Sequence, residues 1–203
     1  PREMKADTET PLQVFTIGHS NLPFEQFAAM LRGFEIRLVA DIRHYPSSRK
    51  FPHFNGPALR EQLAAENIDY LWLEALGGRR HTPASERSLN AGLRSPGFRS
   101  YADYMATAEF RNGVHKLVSA AARSRTAVMC AEKLYWKCHR RLLSDYLTAR
   151  GVQVIHILEQ GKTSEHALTP DAVITESGVI YPPAGRSKEQ RSLFDLDEPP
   201  DSG

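Results

Sequence analysis

The sequence is short of cysteine, of long apolar runs and of internal repeats, and each shortage excludes something. Only two cysteines occur in 203 residues, Cys130 and Cys138. That excludes a framework of regularly spaced disulfides and favours a reducing compartment. No apolar run approaches the roughly 20 residues that span a bilayer, so no membrane association is expected. No apolar stretch follows Pro1-Arg2-Glu3-Met4-Lys5, and the expectation is no secretory signal and a cytoplasmic location. Carboxylates are scattered rather than clustered, which argues against paired catalytic metal ions.

What is present fits one soluble domain. A chain of this length buries enough surface to stand without staples. The net charge of +2 hides an asymmetry. After Arg186, Lys188 and Arg191 face Glu189, Asp195, Asp197, Glu198 and Asp201, so the tail is −3 and the remainder about +5. That excess favours an anionic partner. Residues 1–12 are polar and without period and are expected to be a disordered leader. Residues 183–203 are rich in Pro, Gly, Ser and charge and are expected to be a disordered tail.

Between them, apolar runs predict strands at 14–18, 36–42, 70–73, 126–130 and 152–158. Helical spacing or helix signals fall at 24–31, capped by Ser20 or Asn21, and at 57–67, 98–108, 109–123 and 139–150. Strand and helix alternate, and the strands are apolar on both faces. The expected fold is therefore α/β: one doubly wound, Rossmann-like three-layer sandwich over residues 13–182, with a mainly parallel sheet of about five strands.

Ligands bind beyond the carboxyl ends of such strands. Those ends carry Gly18-His19-Ser20, Asp41-Ile42-Arg43-His44, Leu76-Gly77-Gly78-Arg79-Arg80-His81 and Cys130-Ala131-Glu132, and His156 lies within the fifth strand. Taken with Pro46, Ser47, Tyr101, Met105 and Cys138-His139-Arg140, this order of residues resembles the domain of unknown function 488 family. The resemblance runs from about Phe15 to His156, and the Cys-x-Glu and Cys-His-Arg pieces are its most specific part. It implies an α/β fold with a shared polar site, and no reaction.

Asp41 or Glu132 can activate water or steady a developing positive charge, with His19, Ser20 and Arg43 beside them; each carboxylate has a plain alternative as an ion-pair partner of Arg43 or Arg140. Cys138, opening a helix, is a candidate thiolate beside His139, and Cys130 is a candidate thiol or an inert packed one. Cys130, Glu132, Cys138 and His139 are also potential zinc ligands, but Cys138 and His139, neighbours on a helix, point about 100° apart, and no Cys-x-x-Cys or His-x-x-x-His pair anchors a site. The expectation is no metal and no cofactor.

From 43 to 54, cations alternate with aromatics and prolines. Arg43, His44, Tyr45, Ser47, Ser48, Arg49, Lys50 and His53, extended by Arg79, Arg80 and Arg140, form a candidate nucleic-acid surface. The alternative is a solvated loop whose aromatics fold back on the core. In the tail, Gln190-Arg191-Ser192-Leu193-Phe194 resembles the short peptide with which bacterial DNA-processing proteins dock onto the sliding clamp. Gln190, Leu193 and Phe194 would be the anchors, and Arg191 departs from the usual apolar position. The expected function is an enzyme acting on DNA in repair, a hydrolase that excises a base. The rivals are a thiol enzyme acting on a small anionic or nucleotide substrate and a non-catalytic nucleotide or nucleic-acid binding module.

Overall fold

The computed structural model describes residues 11–80 and 88–183. The peptide expected to dock on the clamp, with Gln190, Leu193 and Phe194, lies outside them, as do His81 and most of the expected leader. Among the described residues no helix is long and apolar enough to cross a membrane.

The fold is a Rossmann-like α/β sandwich. Strand β1 (Gln13–Gly18) leads through α1 (Phe24–Gly33) to β2 (Leu38–Asp41), and α2 (Gly56–Ala65) carries the chain to β3 (Asp69–Trp72). Helices α3 (Pro96–Tyr104) and α4 (Ala108–Ala121) return it to β4 (Thr126–Cys130), and α5 (Arg140–Thr148) connects to β5 (Gln153–Glu159). Strand β6 (Lys162–Glu165) and a hairpin of β7 (Val173–Thr175) and β8 (Gly178–Ile180) follow. The main sheet runs β3-β2-β4-β1-β5-β6, with five parallel strands and β6 antiparallel on its edge.

Side chains alternate across the central strands and supply two cores. Phe15, Ile17, Ala127 and Met129 pack with Phe27, Leu31, Leu59 and Leu63 of α1 and α2. Val14, Val128 and Val154 pack on the other face with Tyr101, Phe110, Leu117, Leu142 and Tyr146 of α3, α4 and α5. Such double-sided burial is what the unbroken apolar runs of parallel strands require.

The topology positions the site. From β1 the chain leaves over one face of the sheet, whereas from its hydrogen-bonded neighbour β4 it leaves over the other. The loops after the two strands diverge, and a crevice opens at this switch point.

The expected sheet stands: its five parallel strands carry an antiparallel sixth, β6, on a largely exposed edge whose residues need not be apolar. Two expectations need correction. Helix α1 is entered from Pro23 with no side-chain cap, since Ser20 and Asn21 belong to the preceding loop. Helix α5 begins at Arg140, so Cys138 and His139 precede it.

Candidate functional site

A cleft of about 1020 Å³ opens where β1, β2 and β4 end. The β1 loop brings His19, Ser20 and Asn21; the β2 loop brings Arg43, His44, Tyr45, Ser47, Ser48 and Lys50; and Gly78 and Arg79 close a third side. The segment after β4 supplies Cys130, Glu132, Lys133, Lys137, Cys138 and His139. Most of the candidates scattered through the sequence thus meet on one surface.

The loops meet because backbone bonds continue beyond the strands. The amides of His19 and Ser20 donate to the carbonyls of Cys130 (3.0 Å) and Ala131 (2.9 Å). Ser20 holds a positive φ of 49°, uncommon for a residue with a side chain and typical of binding loops. Gly18 is required by close approach: a Cβ there would lie 2.0 Å from the Glu132 carbonyl oxygen.

Asp41 does not line the cleft. Its carboxylate is fully buried and bonded by Arg43, with Nη2 at 2.5 Å from Oδ2 and Nε at 2.9 Å from Oδ1, and by the Tyr70 hydroxyl at 2.7 Å. Arg43 also donates to the carbonyl of Phe54 at 2.8 Å and so clamps the 43–54 loop. Burial and the neighbouring Asp41 charge push the Tyr70 hydroxyl above its ordinary value. Asp41 therefore positions Arg43, and Glu132 is the carboxylate that faces the cleft.

His19 is nearly as constrained. Its Nδ1 lies 2.9 Å from the Ser20 carbonyl, its Nε2 lies 3.3 Å from Arg43 Nη1, and its ring stacks on Phe54 at 4.0 Å. Nδ1 donates and Nε2 accepts, so the imidazole is neutral. Burial and the Arg43 charge lower its pKa from 6.5 to about 4.

Of the expected nucleic-acid residues, Arg43, His44, Tyr45, Ser47, Ser48 and Lys50 line the cleft with Arg79. Arg49 is exposed outside the lining. His53 Nε2 is 3.0 Å from the Leu22 carbonyl, and Phe54 is wholly buried, so part of the loop does fold back on the core. Arg80 lies over the Tyr104 ring at 3.5 Å and donates to the carbonyls of Gly77 and Ala75, away from the cleft. Arg140 departs most from expectation. It is 1% exposed and donates to the carbonyls of Glu132 and Lys133 and to Thr16 Oγ1, so it pins the segment after β4 instead of meeting a ligand.

At the cleft floor Cys130, Cys138 and His139 bring their ligating atoms within 4.8 Å of one another. Cys138 and His139, expected on a helix that would turn them apart, converge because Cys138 is extended (φ −123°, ψ 151°) and precedes α5. Cys138 Sγ lies 3.6 Å from His139 Nδ1 and accepts from the Arg140 amide at 3.5 Å. Each thiol is the main influence on the other: Cys130 holds Cys138 well below the ordinary thiol range, and Cys138 together with burial pushes Cys130 well above it. His139 Nε2 is buried without a hydrogen-bond partner among the described residues. Gly78 packs so closely on the imidazole that a Cβ there would lie 2.3 Å from Nδ1.

Sequence reasoning missed a second polar cluster behind Arg140. Thr16 Oγ1 meets His156 Nδ1 at 2.7 Å, His156 Nε2 meets His166 Nδ1 at 2.9 Å, and His166 Nε2 meets Asp145 Oδ1 at 2.9 Å. Asp145 also accepts from Tyr181 and from the amide and hydroxyl of Thr169. Burial first, then His166 and Arg140, lowers His156 to about 3. Only polar residues within apolar runs, as at Thr16 and His156, hint at this cluster in the sequence.

Comparison with known proteins adds one match. The family model described as Domain of unknown function DUF488 matches residues 23–147, from the start of α1 almost to the end of α5. No curated protein and no solved structure matches the chain.

Proposed function

Because the chain belongs to the DUF488 family, whose description names no reaction, we propose its function from the cleft itself: a DNA-repair enzyme that excises a base by hydrolysing its bond to the sugar. The observation that carries this reading is the charge of the lining. Lys50, Arg79, Lys133 and Lys137 face Glu132, the lone carboxylate among the lining residues, while Arg43 is already neutralised by Asp41. Four such cations from three segments suit a ligand with several phosphates.

The volume of about 1020 Å³ is ample for an extruded nucleotide and its flanking phosphates. Tyr45, 56% exposed and held edge-on by His44, offers a ring on which a base can stack. Ser20 and Ser47 supply hydroxyl donors. Glu132 would activate water or stabilise the developing cation on the sugar, a role that Asp41, wrapped by Arg43 and Tyr70, cannot take. The tail peptide with Gln190, Leu193 and Phe194 would tether the enzyme to the sliding clamp. Its value would lie in raising the local concentration of the enzyme at DNA.

A screen of duplexes carrying different lesions tests the reading. Release of a free base from one of them, with a loss of about 10²–10⁴ in rate for Glu132→Gln, is the expected result. No base release from any duplex, or full activity in the variant, refutes it. A second reading rests on the low-lying Cys138 thiol beside His139: a thiol enzyme acting on a small anionic substrate. Loss of activity in Cys138→Ser with retention in Glu132→Gln would decide for it.

A further inference from the structure

The cluster at the cleft floor is placed as metal ligands are placed. In tetrahedral coordination, bonds of about 2.3 Å to sulfur and about 2.1 Å to nitrogen set those two atoms about 3.6 Å apart. Cys138 Sγ and His139 Nδ1 are separated by 3.6 Å, although they belong to adjacent residues. Cys130 Sγ, at the end of β4, lies within 4.8 Å of both. Two sulfurs and an imidazole suit a soft or borderline ion and disfavour magnesium or calcium, which take oxygen.

The surroundings hold these donors in place. Tyr101 packs against the His139 ring with centroids 5.1 Å apart, and the Gly78 backbone lies so close to the ring that a Cβ there would be 2.3 Å from Nδ1 and 2.5 Å from Cγ. The Arg140 amide orients the Cys138 sulfur, the kind of outer hydrogen bond that tunes a ligating thiolate. Arg140 itself is fixed by the carbonyls of Glu132 and Lys133. The segment that carries two of the donors is thereby locked to the strand that carries the third.

We propose that Cys130, Cys138 and His139 bind one zinc-like divalent ion, leaving a fourth coordination position open to the cleft. Structural zinc sites close all four positions with protein, whereas catalytic ones take three and keep one for water or substrate. All three residues line the cleft, so this site is of the second kind. An ion there would lower the pKa of a bound water toward neutrality or bind an anionic oxygen of the ligand. The proposal does not depend on DNA being that ligand.

Reduced, chelator-treated full-length protein is titrated with Co²⁺, and Zn²⁺ is then added in competition. The expected result is a thiolate-to-cobalt band in the near ultraviolet together with visible bands of tetrahedral cobalt, both removed by zinc. Removing a ligand should weaken binding at least as much as removing an outer hydrogen-bond partner, so His139→Ala and Cys138→Ser should lower affinity by about 100-fold or more. Azide or imidazole should shift the visible bands if a position is open; an unresponsive spectrum overturns the open-site assignment. Because a cysteine variant can fail to fold, the rate at which a thiol reagent modifies the wild-type protein is measured with and without Zn²⁺. Protection supports the site. Equal rates with no thiolate band overturn it and leave a plain thiol pair.

Discussion

Behind Arg140, Thr16, His156, His166 and Asp145 form a buried chain in which each ring nitrogen and both carboxylate oxygens have partners. His166 Nε2 donates to Asp145 at one end, and Arg140 donates to Thr16 at the other. Burial first, then His166 and Arg140, keeps the His156 ring between them neutral. In front of Arg140, Cys130, Cys138 and His139 face a cleft with their ligating atoms within 4.8 Å of one another, and His139 Nε2 is unpartnered among the described residues. A buried network with every member satisfied rigidifies a fold, and one with an open valence is where a ligand belongs. The chemically richer-looking cluster, with two histidines and an aspartate, is the scaffold; the poorer one is the candidate site.

Breaking the chain should give the largest effect. Asp145→Ala strands the donors of His166, Thr169 and Tyr181 in the interior. Urea unfolding should register a loss of roughly 3–5 kcal/mol, and a loss under 1 kcal/mol would remove the chain from the scaffold. Gly18→Ala attacks the seam between the two clusters, since its Cβ meets the Glu132 carbonyl. Displacing that carbonyl should cost about 1–3 kcal/mol and also weaken any ligand binding in the cleft.

Acid separates the clusters through proton uptake. His156 and His19 are held at about 3 and about 4, against an ordinary 6.5. Above pH 6.5 both are neutral whether the chain is folded or not, and they add no pH dependence. Between pH 6.5 and pH 4 the unfolded chain takes up protons that the folded chain refuses, so stability falls as pH falls. Melting temperatures measured across that window should drop, and less steeply in His156→Gln. A flat profile would mean that the rings are not buried neutral.

The smallest effect on stability belongs to the cleft. Neutralising Lys50, Arg79, Lys133 and Lys137 one at a time should change stability by no more than about 0.5 kcal/mol each. Together they should flatten the salt dependence of DNA binding, by about one unit of slope for each phosphate that no longer meets a cation. An unchanged slope at wild-type affinity would move the DNA surface elsewhere.

Much of the fold was legible. Burial on both faces makes a parallel strand a continuous apolar run, so β1 and β4 stand out as Val14-Phe15-Thr16-Ile17-Gly18 and Thr126-Ala127-Val128-Met129-Cys130. Strand β6, Lys162-Thr163-Ser164-Glu165, was not legible, because an exposed edge can be polar throughout. The site was legible as a set of strand ends, since polar residues that close apolar strands share one edge of a parallel sheet. Roles within that set were not. Whether Asp41 faces solvent or Arg43 depends on the 43–54 loop folding back through Phe54, which no local pattern encodes.

The sequence by itself determined the alternation of strand and helix, the two-sided cores, and the edge on which the chemistry collects. These follow from hydrophobic period and chain order. Only the tertiary structure decided that Asp41 and Arg140 are internal braces, that Glu132 is the carboxylate left facing the cleft, and that Cys138 and His139 converge on Cys130. Those outcomes turn on one extended residue before α5 and on guanidinium groups that reach carboxylates and carbonyls. A side chain's role follows from which partner it reaches first, and reach is a property of three dimensions.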